Sequence, residues 1–172
     1  LFNNASNGFE WGLGVKVDDL IKWNKMANLK SIDLKIASKI ASKFLDSKNI
    51  SIKSVGEGSN NRNFLVELKD SRQIVVKLSH AHKEYKAFGD YIKEKWCIEK
   101  SSEVGVPGPM VFTLGKFEGR AYMIENFVSG KNGNLLQNKT HVWHELGRYT
   151  RLIHSIKVSG FGENLTDTKR GF

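Results

Sequence analysis

The stretch ISIKSVGEGSNNRNFLVELKDSRQIVVKL, residues 50–78, decides how this chain folds. Two polar connectors cut it into three runs. Ile50 to Val55, Asn63 to Leu68 and Gln73 to Leu78 are short and rich in β-branched and other apolar residues, as strands are. Gly56-Glu57-Gly58-Ser59-Asn60-Asn61 separates the first run from the second, and Lys69-Asp70-Ser71-Arg72 the second from the third. Three strands this close together predict an antiparallel meander, because only hairpins fit links of that length.

Upstream of the meander, Ala37, Ile40, Ala41, Phe44 and Leu45 recur at helical spacing, with Lys35, Lys39 and Lys43 elsewhere on the surface. This predicts an amphipathic helix from about Asp33, capped by Ser31 or Asp33. Residues 1–30 show no clear period and read as an N-terminal extension. Downstream, Tyr85, Phe88, Ile92 and Trp96 predict helix over His82 to Ser102, ended by Gly105 and Pro107, with Gly89 suggesting a break into two. Met110 to Gly115 and Arg120 to Val128 read as two more strands around a turn at Lys116 to Gly119. A last helix, Thr140 to Ser155, is expected to bury Val142, Leu146, Tyr149 and Ile153. The units are thus 1–30, 31–128 and 129–172.

At 172 residues and 40% hydrophobic, the chain suits one domain, or one lobe with the start of another. It contains no run of eighteen apolar residues and no signal-peptide pattern, which predicts a cytoplasmic protein without membrane contact. A start without methionine and an end at Arg170-Gly171-Phe172 are compatible with a fragment or a trimmed chain. The single cysteine, Cys97, excludes an internal disulfide and a cysteine-built metal site, and its neighbours Trp96 and Ile98 predict a packed, inert thiol. The net charge of +9 raises nucleic acid as a partner. Lysines spread from Lys16 to Lys169 without a block and without a nucleic-acid motif favour a solvated surface instead.

Gly56 and Gly58 flank Glu57 between two strands. Without side chains there, a hairpin backbone can approach a phosphate and turn amide N–H groups toward it; on two glycines alone, an ordinary hairpin turn is the simpler reading. No third glycine completes Gly-x-Gly-x-x-Gly and no Gly-Lys-Ser/Thr is present, which excludes a Walker-type site in this sequence. Alternation places Lys77 on the face of Val75 and opposite Val76. A charge within a β-branched run is costly to bury unpaired. Lys77 is therefore either an edge-strand lysine reaching water or a lysine that bridges nucleotide phosphates and a helix carboxylate. Glu94 is the best carboxylate partner, with Glu84 and Glu99 as competitors, a choice that rests on its spacing to Val106-Pro107-Gly108-Pro109 in the family resemblance given next. His80, His82, His141, His144 and His154 lack HExxH spacing and cysteine companions, so they read as surface residues and no metal site is expected.

The series Gly58-Ser59-Asn60-Asn61, Val75-Val76-Lys77, Lys93-Glu94, Val106-Pro107-Gly108-Pro109, Tyr122 to Gly130, Leu152-Ile153-His154 and Gly160-Phe161-Gly162 resembles the aminoglycoside phosphotransferase family. These are kinase-like enzymes that phosphorylate hydroxyls of antibiotics and metabolites. The resemblance spans Ile50 to Gly162, about two thirds of the chain. It implies an α+β fold: a protein-kinase-like N-lobe with a five-stranded antiparallel sheet and an inserted helix, preceded by an N-terminal helix and followed by the first helix of a helical lobe. It also implies that Gly56, Gly58, Ser59, Asn60 and Asn61 cover a nucleotide, that Lys77 binds its α- and β-phosphates, and that Glu94 fixes Lys77. Glu125, Asn126, Phe127 and Val128 would offer main-chain groups to adenine or guanine. Many relatives carry glutamate where Asn126 stands, a change of small consequence for main-chain recognition. The Val106 to Pro109 segment and His154 would be structural. ATP or GTP would be the cofactor, with Mg²⁺ in the complete enzyme and a small-molecule alcohol as acceptor.

The family's His-x-Asp-x-x-x-x-Asn loop and metal-binding aspartate have no counterpart here, since no histidine is followed two residues later by aspartate. Catalytic residues are accordingly expected beyond Phe172. The chain then reads as the nucleotide-binding portion of a phosphotransferase, inactive by itself, and the acceptor is not legible because the helical lobe would select it. The competing reading is a non-catalytic kinase-like module that binds protein or nucleic acid. A third is an unrelated α+β domain with coincidental motifs.

Overall fold

The computed structural model describes residues 17–47, 49–131 and 133–158. Helix α1 (Val17–Leu45) precedes strands β1 (Ile50–Glu57), β2 (Asn61–Leu68) and β3 (Gln73–Ser79). A 3₁₀ turn at Ala81–Lys83 leads into α2 (Glu84–Glu103), then β4 (Val111–Phe117), β5 (Arg120–Asn126), a second 3₁₀ turn at Gly133–Leu135, and α3 (Thr140–His154). The strands pair antiparallel throughout, in the order β1-β2-β3-β5-β4. A five-stranded antiparallel sheet with a helix inserted after its third strand is the expected architecture.

Strand alternation sorts the residues into two layers. Phe64, Val66, Ile74, Val76, Leu78 and Ile124 pack against Ile36, Ala37, Ile40 and Ala41 of α1 on one face. Ala121 and Met123 pack against Ala87 and Tyr91 of α2 on the other. Each large side chain so buried contributes roughly 1.5–3 kcal/mol. Because Val76 and Leu78 face α1, Val75 and Lys77 must face α2.

Four local expectations change. Helix α1 begins at Val17, so neither Ser31 nor Asp33 caps it. Asp33 is instead an interior residue, 3% exposed. It accepts hydrogen bonds from the Nη1 atoms of Arg62 and Arg120, the latter at 2.7 Å. Arg120 also donates to the Ser79 carbonyl through Nε at 2.6 Å. The aspartate that suggested a helix start thus ties α1 to β2 and β5. Phe44, expected in the core, is exposed and tilts against Phe112 with ring centroids 5.8 Å apart.

Helix α2 runs unbroken through Gly89, where an added Cβ would meet nothing within 4 Å. It ends as expected at Gly105, whose φ of +84° suits glycine. Gly105 N–H donates to the Ser102 carbonyl and Val106 N–H to that of Ser101, both at 3.0 Å, the Schellman pattern. Helix α3 forms where expected, but no residue of it is buried. Leu146 and Ile153 are exposed, because among the described residues no layer covers that face. Residues 1–16 of the expected extension, and Gly160-Phe161-Gly162, lie outside the described residues.

Candidate functional site

Lys77 lies on β3, the middle strand of the five, between Asn63 of β2 and Met123 of β5. The edge-strand reading is therefore wrong for this lysine. Its side chain is 16% exposed, and its Nζ donates to Glu94 Oε1 at 2.5 Å. Of the glutamates considered on this helix, Glu94 is placed on Lys77 and Glu99 pairs with Lys95; the Glu84 side chain lies outside what the structure describes. Alternation on β3 aims Lys77 at α2, and helical phase turns Glu94 back toward the sheet.

A second carboxylate, which sequence reasoning assigned only a main-chain role, reaches the same ammonium. Glu125 Oε1 stands 3.1 Å from Lys77 Nζ, with the Glu125 side chain 9% exposed. Burial of the ammonium favours neutral lysine, but the Glu94 hydrogen bond and the Glu125 charge outweigh it and the Lys77 pKa rises. Burial is also the main reason the Glu125 carboxyl titrates above its ordinary value; Lys77 opposes that rise and Glu94 adds to it. Glu125 Oε2 has no hydrogen-bond partner among the described residues, and neither do the buried Asn63 Oδ1 and Tyr91 hydroxyl. Burial pushes the Tyr91 hydroxyl pKa up as well. The available sequence signal for Glu125 was alternation along Tyr122-Met123-Ile124-Glu125, which puts it on the face of Met123. Only the β3–β5 register, Val75 opposite Glu125 and Lys77 opposite Met123, brings it to the lysine.

The glycine hairpin joins β1 to β2 at Gly58–Asn60, closed by Gly58 N–H to the Asn61 carbonyl at 2.8 Å. Neither Gly56 nor Gly58 has positive φ, and a Cβ at either would meet only Asn63 or Asn61 atoms at 3.4 Å or more. The backbone does not require glycine here, so what the two residues provide is an uncovered surface. The turn is held from behind. His80 N–H donates to the Asn60 carbonyl at 3.2 Å, the His80 ring contacts the Gly58 carbonyl at 3.1 Å, and Lys83 Nζ donates to the Ser59 carbonyl at 2.8 Å and Asn60 Oδ1 at 3.1 Å. Arg62 donates to Glu57 at 3.0 Å, and this hydrogen bond lowers the Glu57 pKa.

At the end of β5, two amide N–H groups are used within the fold. Asn126 N–H donates to the Met110 carbonyl at 3.1 Å, and Phe127 N–H to that of Gln73 at 3.3 Å. The Asn126 side chain accepts from Met110 N–H at 2.5 Å, which fixes the start of β4. Phe127 and Val128 are exposed. Cys97, expected to be packed, is exposed on α2; partial desolvation nevertheless raises its pKa and keeps it a thiol. His80 serves the hairpin, while His141, His144 and His154 are exposed. Among the described residues, no three His, Cys, Asp or Glu side chains form a metal-ligand group. No described helix is long and apolar enough to cross a membrane.

The structure thus combines a five-stranded antiparallel sheet, a helix inserted after its third strand, and a central-strand lysine paired with a glutamate of that helix. A solved structure with a similar backbone is spectinomycin phosphotransferase, determined in complex with ADP and spectinomycin. It is 17% identical, covers 62% of this chain and superposes with a TM-score of 0.48. The chain spans 33% of that protein's length. No family model and no curated protein matches the chain.

Proposed function

We propose that the α2 face of this sheet binds a nucleoside triphosphate, ATP or GTP. In this reading the chain is the nucleotide-binding part of a phosphotransferase acting on a hydroxyl of a small molecule, an aminoglycoside-type antibiotic or a metabolite. The observation that carries it is Lys77: a charged residue in the middle strand, held by Glu94 on the inserted helix rather than released to water. Such an arrangement positions an ammonium against phosphate oxygens. The nucleotide, when bound, supplies the phosphoryl group.

The chain's own residues do the positioning. Lys77 neutralises phosphate charge, and Glu94 prevents the ammonium from swinging away. Gly56 and Gly58, with Ser59, Asn60 and Asn61, let the hairpin backbone approach the phosphates. Glu125 to Val128 border the base, with the Asn126 carbonyl and the Val128 peptide as its recognition groups, since the Asn126 and Phe127 N–H groups are used internally. Mg²⁺ finds no group of three or more His, Cys, Asp or Glu ligands among the described residues. The competing reading, a kinase-like module kept for protein contacts, has the exposed apolar face of α3 on its side.

Calorimetric titration of ATP and GTP against the chain separates the two readings. Saturable binding of either at millimolar concentration or tighter is expected. Absence of binding by both, with the chain folded by circular dichroism, would remove the phosphotransferase reading and leave the module.

A further inference from the structure

Lys77 Nζ has three N–H bonds to give, and two lie toward carboxylates on different elements: Glu94 on α2 at 2.5 Å and Glu125 on β5 at 3.1 Å. The two carboxylates differ in kind. Glu94 is 37% exposed and sits on the inserted helix. Glu125 is 9% exposed and sits on a strand flanked on both sides, paired to Val75 of β3 and Val111 of β4. Two ladders fix the backbone that carries Glu125 and burial confines its side chain, whereas the partly exposed Glu94 side chain can change rotamer into solvent. Titratable groups near this cluster include Tyr91 and Cys97 of α2, each about one helical turn from Glu94, and Lys93 beside it; the facing residue Val111 of β4 is uncharged.

We propose that Glu125 is a second positioning residue for Lys77. It anchors the ammonium from the sheet side, so that one N–H remains for a ligand and the lysine stays in place when Glu94 is lost or turned away. Burying a carboxylate costs stability unless it is paired, and among the described residues Lys77 is the cation placed on it. The lysine is thus held between an exchangeable contact and a fixed one. Loss of Glu94 alone would then weaken the lysine's placement only partially, unlike in a site with one carboxylate.

The role of Glu125 as anchor rests on geometry seen without ligand; its effect on affinity rests on the nucleotide reading above. The test keeps the two apart. Glu94→Gln, Glu125→Gln and the double variant would be compared with wild type in two measurements. The first is the ¹⁵Nζ signal of the Lys77 ammonium without ligand, assigned by its loss in Lys77→Arg. A held ammonium exchanges its protons slowly enough to be seen. The signal should persist in each single variant and vanish in the double. The second is ADP affinity, expected to fall by no more than about threefold in each single variant and by at least about tenfold in the double, roughly 1.4 kcal/mol. Glu125→Asp guards against misfolding as the cause and should retain the signal if the fold holds. If Glu94→Gln alone abolishes the signal, or the double variant behaves as Glu94→Gln does, Glu125 is no anchor. If ADP fails to bind wild type, the nucleotide reading falls while the ammonium measurement still decides the role of Glu125.

Discussion

Replacing Lys77 by alanine would test the site at its centre, and the structure makes the outcome depend on pH. Trimming a lysine from a strand face is harmless when it merely removes a desolvated charge. Here it strips Glu125 of its cation, leaving a carboxyl that is 9% exposed with one oxygen already unpartnered. Two options remain: a buried unpaired charge, or a proton. The proton sets the ceiling. At about 1.36 kcal/mol per pH unit, protonating a carboxyl of ordinary value 4.5 costs roughly 3 kcal/mol near pH 7 and less than about 1 kcal/mol near pH 5. The sign is that of an acid whose folded-state pKa is raised. Above 4.5 the folded state binds more protons than the unfolded state, and stability falls as pH rises toward the folded value. Urea unfolding of Lys77→Ala should therefore show a loss of up to about 3 kcal/mol near pH 7 that shrinks toward pH 5. Lys77→Ala/Glu125→Gln should recover much of it, since an amide carries no charge to strand. A loss of equal size at both pH values, without recovery in the double variant, would refute the reasoning.

Two further outcomes follow from the same packing. Asp33→Ala leaves two buried guanidiniums without their shared carboxylate; Arg62 keeps Glu57 and Arg120 keeps the Ser79 carbonyl, so the cost should reach about 3 kcal/mol, the low end for breaking a buried pair. A shift in the urea midpoint worth under about 1 kcal/mol would show that this network does not tie α1 to the sheet. At alkaline pH, Lys77 and Tyr91 act together, since both have folded-state values raised above 10.5 and 10.0 respectively. Their stabilisation is complete below those values and is lost as pH rises beyond them, so unfolding should begin above about pH 10. Absorbance at 295 nm should show Tyr91 ionising only with unfolding, and Tyr91→Phe should remove that component.

The parts of this fold that were legible in the sequence are those specified locally. The meander of residues 50–78 was readable because short polar links force hairpins, and Gly105 because a Schellman end needs a left-handed residue. Lys77 and Glu94 were paired in advance only through the spacing of a resemblance, as nothing in either residue's surroundings announces the other. What escaped depends on register or on partners far along the chain. Asp33 looks like a helix cap until Arg62 and Arg120 arrive from β2 and β5. Glu125 looks like a border residue until the β3–β5 register sets Met123 opposite Lys77, which brings Glu125, two positions along on the same face, to the lysine. The apolar stripe of α3 was read correctly as a stripe, but a period predicts which face is apolar and not whether anything covers it.

The central claim is that Lys77 lies against the phosphates of a bound nucleotide. An acyl phosphate of ATP delivers its acyl group to whichever amine stands beside the terminal phosphates, and peptide mass spectrometry then identifies the modified lysine. The account predicts that Lys77 is acylated at low probe concentration ahead of the exposed lysines, and that excess ATP or GTP suppresses this labelling. Acylation spread over surface residues such as Lys39 and Lys116, with Lys77 unmodified and no protection by either nucleotide, would contradict it.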